Sequence, residues 1–110
     1  MKLLTRQEEL VLLTVFFLKE NNTLKNIRKH IIEQTGKDWS ISSVYVPLDR
    51  LDEAGYLRSQ VGDPSPIKGG KAKKYYEITE SGIDILKELR TMTNSMYNNI
   101  EGFAFERNRK

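Results

Sequence analysis

Residues 40–55, SISSVYVPLDRLDEAG, pass directly into YLRSQV (56–61), GDPSPIKGGKAKK (62–74), YYEIT (75–79) and ESG (80–82). Val44, Leu48 and Leu51 recur at i, i+4 and i+7, which predicts a helix with one apolar face, stopped by Gly55. Leu57, Ser59 and Val61 then alternate along a strand, and Tyr76 and Ile78 do the same on a return strand. Pro64, Pro66, Gly69 and Gly70 exclude regular structure between the two, so the hairpin is expected to have a long, mobile tip. Thr79 opens a further helix.

Upstream, Thr5, Arg6, Gln7 and Glu8 form a capping box, because the Thr hydroxyl and the Glu carboxylate can satisfy orphan amides reciprocally. The helix it opens is expected to reach about Glu20 and is apolar almost all round, from Leu10 through Leu18. A single buried stripe does not require that. One side is therefore expected to cover the core and the other, through Leu12 and Phe16, to meet a second subunit. Asn21-Asn22 breaks the helix, and Thr23 caps the next, which carries Leu24, Ile27 and Ile31 on one face and ends at Gly36 as a left-handed cap. With residues 40–55 it makes a helix-turn-helix. The last helix, expected over about 80–101, carries Leu86, Leu89, Thr93, Met96, Ile100 and Phe103 at alternating spacings of three and four, a heptad seam.

The expected fold class is thus mainly α with a small β-hairpin: a winged helix-turn-helix over residues 1–79, a dimerisation helix over 80–102 and a disordered tail over 103–110. At 110 residues the chain suits one domain. It has no cysteine, which excludes disulfides and thiolate metal sites. No apolar run reaches the ~18 residues of a membrane span, and a cytoplasmic location is expected.

The net charge of +3 is concentrated in one place. Residues 56–74 carry Arg58, Lys68, Lys71, Lys73 and Lys74 against the single acid Asp63, while the segments on either side are near balance. A basic hairpin directly after a helix-turn-helix has the charge pattern of a nucleic-acid partner. On the third helix, the face opposite Val44, Leu48 and Leu51 holds Ser42, Ser43, Val46 and Arg50, with Asp49 and Glu53 at its margin and Tyr45 on a flank. Short hydroxyls at a helix N-terminus suit phosphate, and Arg50 can make a bidentate contact with guanine or pair with Asp49 or Glu53. Trp39 reads as a core plug.

No catalytic, metal or cofactor constellation is expected. His30 is the sole histidine, with no ligand spacing around it, and neither a phosphate-binding loop nor a nucleophile motif occurs. Phe17, Met92 and Tyr97, near Phe16 and Met96, read either as dimer core or as the lining of an effector pocket between subunits.

The pattern S-x-x-x-V-Y-x-x-L-x-R-L-x-x-x-G (Ser40, Val44, Tyr45, Leu48, Arg50, Leu51, Gly55), followed by G-G-K-A-K-K-Y-Y-x-I-T-x-x-G over residues 69–82, resembles the PadR family of winged-helix transcriptional regulators. The resemblance covers roughly residues 5–90, and the single C-terminal helix resembles the short branch of that family. It implies a homodimer on a palindromic double-stranded DNA operator, acting as a repressor released by a small molecule or another signal. By position, Ser42, Ser43, Tyr45 and Arg50 would serve the recognition helix, and Lys71, Lys73 and Lys74 the wing. The chain departs from the family pattern at Leu24-Lys25, where Gly-Tyr is common, and at Val46, which intervenes between Tyr45 and Pro47. The competing reading is a dimeric winged-helix module that binds protein and not DNA, suggested by Asp49 and Glu53 on the reading helix.

Overall fold

The computed structural model describes residues 2–62 and 73–105. Six elements follow in order: α1 (Arg6–Leu18), α2 (Leu24–Thr35), α3 (Ile41–Glu53), β1 (Leu57–Val61), β2 (Lys74–Ile78) and α4 (Glu80–Tyr97). Each helix opens on a hydroxyl cap. Thr5, Thr23, Ser40 and Thr79 accept from the amides of Glu8, Asn26, Ser43 and Gly82, and at Thr5 the Glu8 carboxylate completes the box. These caps satisfy amides that have no partner within the helix.

The stops are equally local. α2 ends at Gly36, left-handed at φ 68°, and α3 is followed by Gly55 at φ 85°. α1 has no glycine to end it; it stops at Leu18, two residues earlier than expected, as Lys19 and Asn21 turn to positive φ. Asn22 then serves the sheet. Its carbonyl accepts from the Tyr76 amide at 3.1 Å, and its buried Nδ2 donates to the Tyr76 carbonyl at 2.9 Å. The loop after α1 is thereby held along the free edge of the hairpin.

β1 and β2 pair antiparallel, with Leu57 opposite Ile78, Ser59 opposite Tyr76 and Val61 opposite Lys74. Leu57 and Tyr76 point inward and complete a core built from Val11, Leu12 and Val15 of α1, Ile27 and Ile31 of α2, and Val44, Leu48 and Leu51 of α3. Ile85 and Leu89 attach the first half of α4 to this core, and Trp39 packs on its edge. Burial of aliphatic side chains of this kind contributes ~1.5–3 kcal/mol each before entropy is counted.

Two further expectations change. α4 ends at Tyr97, so Ile100 and Phe103 lie beyond the helix and do not continue its seam. Asn98 leaves helical geometry and Asn99 adopts φ 74°, a conformation that asparagine tolerates better than most residues. Leu12, expected at a subunit contact, is 0% exposed; it belongs wholly to this chain's own core. The outer face of α1 is instead made by Leu13, Phe16 and Phe17, all exposed. From Asn94 to residue 105 every residue is exposed. In keeping with that, the radius of gyration is 18.0 Å, against about 13 Å for a compact chain of this length.

Candidate nucleic-acid interface

The angle between α2 and α3 is held by side chains of the intervening link. Arg28 Nε donates to the Trp39 carbonyl at 2.7 Å, and Trp39 Nε1 donates to Thr35 Oγ1 at 3.1 Å. Arg28 is therefore part of the scaffold of the helix-turn-helix. At the start of α3, Ser43 Oγ donates to the Ser40 carbonyl at 2.8 Å, while the exposed Ser42 has its hydroxyl 3.4 Å from that of Ser40. Pro47, inside α3, is buried. It has no amide to donate, so the Ser43 carbonyl has no helical bond from that position.

The outward face of α3 presents Ser42, Tyr45 and Val46, all exposed. Arg50 is exposed too, but it borders a groove with Lys2, Leu4, Glu8, Glu53 and Tyr56. It thus lies on the flank facing the N-terminal arm, away from the hairpin. Among the described residues the ion pairs are Arg6–Glu9 at 3.6 Å and Arg58–Glu77 at 3.5 Å. The expected alternative pairing of Arg50 with Asp49 or Glu53 is not made.

The opposite flank of α3 faces the hairpin and is acidic. Asp52 Oδ2 accepts from Ser59 Oγ at 2.8 Å, tying α3 to β1. Tyr76, buried opposite Ser59, has its hydroxyl pKa pushed above the ordinary tyrosine value, first by burial and then by Tyr45, Asp52 and Asp49 nearby. Burial disfavours the phenolate, and each neighbouring negative group disfavours it further.

Strand alternation separates the two lysines that the sequence places side by side. Lys74 shares a face with Tyr76, and its Nζ stands 5.7 Å from that ring's centroid, within cation–π range. Lys73, one residue earlier, belongs to the other face, where Arg58 is already paired with Glu77 across the strands. Lys68 and Lys71, with Gly69 and Gly70, lie outside the described residues.

The apolar candidates also divide. Leu89 is buried in the core and Leu86 packs against it, so both serve this chain first. Phe16, Met96 and Ile100 are exposed. Phe16, Leu13, Leu86 and Thr93 line a groove of about 380 Å³ between α1 and α4. Phe17 lies on the other side of α1, its ring stacked on His30 at 4.8 Å, in a groove between α1 and α2. Met92 packs on the core and Tyr97 ends α4 in solvent, so the three candidate effector residues do not meet within one chain.

His30, the sole histidine, turns toward α1 and stacks there on Phe17. The Arg58–Glu77 pair and the Asp52–Ser59 bond escaped the sequence reading. The period of two in β1 and β2 places Arg58 and Glu77 on one face, but only the register sets them opposite each other. Among the described residues no helix is long and apolar enough to cross a membrane, and no group of three His, Cys, Asp or Glu side chains could hold a metal.

Several solved structures described as transcriptional regulators share this arrangement. A transcriptional regulator from Clostridium thermocellum superposes with a TM-score of 0.70 at 21% identity, over 90% of each chain. A PadR-family regulator from Eggerthella lenta gives 0.67 at 24% identity, over 84% of this chain and 79% of that one. A PadR-like regulator from Bacillus cereus gives 0.64 at 20% identity, over 86% and 93%. A search of curated proteins finds no match. The family model described as the transcriptional regulator PadR-like family matches residues 17–88. The helix-turn-helix, the hairpin and the first turns of the last helix all fall in that span, and the chain therefore belongs to the PadR-like family of transcriptional regulators.

Proposed function

We propose that this regulator acts as a homodimer that reads a palindromic DNA operator, represses transcription there and releases it in response to a small molecule or another signal. The observation that carries the reading is the exposed outer face of α3, with Ser42, Tyr45 and Val46 at its N-terminal turns and a basic hairpin alongside. In this reading Ser42 and Ser43 meet phosphate at the helix N-terminus, where backbone amides favour anions. Tyr45 and Val46 enter the major groove, and the wing lysines grip the flanking backbone. Asp49 and Asp52 face the hairpin and not the groove, which relieves the repulsion their charges would otherwise produce.

Arg50, on the arm side of α3 near Lys2, is placed to reach the edge of the same groove. Dimerisation uses the exposed faces of α1 and α4, through Phe16 and Met96, with α4 of one copy laid along the groove between α1 and α4 of the other. Residues 80–97 then act as the dimerisation helix. Phe17, Met92 and Tyr97 come together only if the second copy brings them together, and an effector pocket at that seam follows on the same condition.

With about three lysines or arginines per protomer on phosphate, a dimer would neutralise about six charges, and affinity should fall with salt at a log–log slope of about −5. Selection of genomic fragments at moderate salt, followed by footprinting, tests the whole reading. Retention of a few discrete fragments with two-fold symmetric protection is expected. Retention of none would favour a protein-binding module, for which the acidic hairpin-side flank of α3 is the supporting observation, and equal retention of all would overturn the reading of a specific operator.

A further inference from the structure

We infer that residues 100–105 of one copy dock in the α1–α2 groove of the other, with Phe103 and Phe105 as the inserted side chains. The inference rests on the dimer reading above and extends it to a second contact site. That groove is separate from the α1–α4 groove assigned to the partner's helix. It lies across the Leu13–Phe16 ridge, has a volume of about 340 Å³, and is walled by Leu10, Phe17 and Ile31 with His30, Gln34 and Thr14 at its edges. Its outer wall is the Phe17–His30 stack, whose rings lie 23° from parallel. Phe17 remains 64% exposed there, although covering it would remove a large apolar area from water.

The occupant is identified by what else in the chain lacks cover. Ile100, Phe103 and Phe105 are 55%, 62% and 76% exposed, and Phe103 and Phe105 touch edge-to-face. Their contact places the two rings side by side, so both can enter one groove. The segment also continues the interface. Leu89 is the last buried residue of α4, and the eight residues to Tyr97 carry the helix end about 12 Å beyond it. A partner helix laid along the α1–α4 groove runs beside the Leu13–Phe16 ridge, and its tail has only to cross that ridge to reach the α1–α2 groove.

Area argues the same way. A stable interface covers about 800 Å² per partner. With α4 ending at Tyr97, the helix seam past Leu89 offers little more than Thr93 and Met96, and the tail supplies the apolar surface that the shortened seam lacks.

The chain contains no cysteine, so cross-linking tests the contact directly. Sedimentation of the wild-type protein first measures the dimer itself. The Gln34→Cys and Ala104→Cys single variants are then mixed under mild oxidation, with each variant alone as control. A disulfide-linked heterodimer, in yield well above either control, is expected. The Phe103→Ala/Phe105→Ala variant should raise the dimer dissociation constant about 10–100-fold with its thermal unfolding as a monomer unchanged.

A wild-type protein that stays monomeric would overturn the dimer reading and this one together. A dimer that forms no mixed disulfide, and whose dissociation constant ignores the loss of both rings, would overturn only this one. An intramolecular disulfide in the Gln34→Cys/Ala104→Cys double variant would show the tail covering its own chain, and would overturn it as well.

Discussion

Thr79 and Gly55, 24 positions apart, are joined by a 2.7 Å hydrogen bond from the threonine hydroxyl to the glycine carbonyl. The same hydroxyl accepts from the Gly82 amide at 3.1 Å, and the Thr79 amide donates to the Tyr56 carbonyl at 3.1 Å. One residue thus caps α4 and fastens it to the end of α3, so the direction in which α4 leaves the domain is set at its first turn. Thr79→Ala should lower stability by about 1–2 kcal/mol, the usual effect of losing a cap, and Thr79→Ser should recover most of it. The denaturant midpoint of the two variants measures this.

Gly82 lies where helix propensity and packing disagree. Alanine is favoured over glycine in a helix by ~1 kcal/mol, but a Cβ here would collide with the Tyr56 carbonyl oxygen and sit 2.7 Å from Ile78 Cγ1. The first obstacle is backbone and cannot swing aside, so the collision should win. Gly82→Ala is expected to destabilise by about 1–3 kcal/mol; a rise in melting temperature would show that the helix start moves freely.

Leu12 and Phe16 are one helical turn apart and should fail differently. Leu12 is fully buried, and Leu12→Ala should cost about 2–5 kcal/mol through transfer and cavity terms, at any protein concentration. Phe16 is 45% exposed, so Phe16→Ala should leave the chain's own fold nearly intact and weaken self-association. Thermal unfolding at two concentrations, together with sedimentation, separates the two effects.

Tyr76 carries a pH dependence whose sign follows from its raised pKa. Above about pH 10 the unfolded chain gives up this phenolic proton while the folded chain still holds it. Stability contributed by the neutral hydroxyl is therefore present below that pH and lost progressively above it. Tyr76→Phe should flatten the loss between about pH 9.5 and 11, without removing it, because other groups titrate there. Urea midpoints across that range measure the difference, and parallel curves for the two proteins would assign the loss elsewhere.

On DNA, the two strand faces predict unequal lysines. Lys73→Ala should lower affinity for all sequences alike and reduce the salt slope by about one unit. Lys74→Ala should add a small loss of stability from its contact with Tyr76. Arg50→Ala should relax preference at particular base pairs if its side chain reads a base. Equal losses on operator and random DNA would reduce Arg50 to a phosphate contact.

Local chemistry was enough to write out most of this fold from the sequence. The hydroxyl caps at Thr5, Thr23, Ser40 and Thr79, the left-handed Gly36, and the change from a period near four to a period of two after Gly55 each act within a few residues. Their geometry is imposed by neighbours along the chain, and the family pattern over residues 40–82 follows from them. What lay beyond sequence depended on atoms brought together from distant positions. That Leu12 is wholly internal while Phe16 is not, that Lys73 and Lys74 part company, and that His30 stacks on Phe17 are decided by helix rotation and strand register. α4 is shorter than its apolar spacing for the same reason. Its apolar spacing continues to Phe103, but Ile100 and Phe103 do not reach this chain's core, and a helix without a face packed on the core has little to hold its last turns.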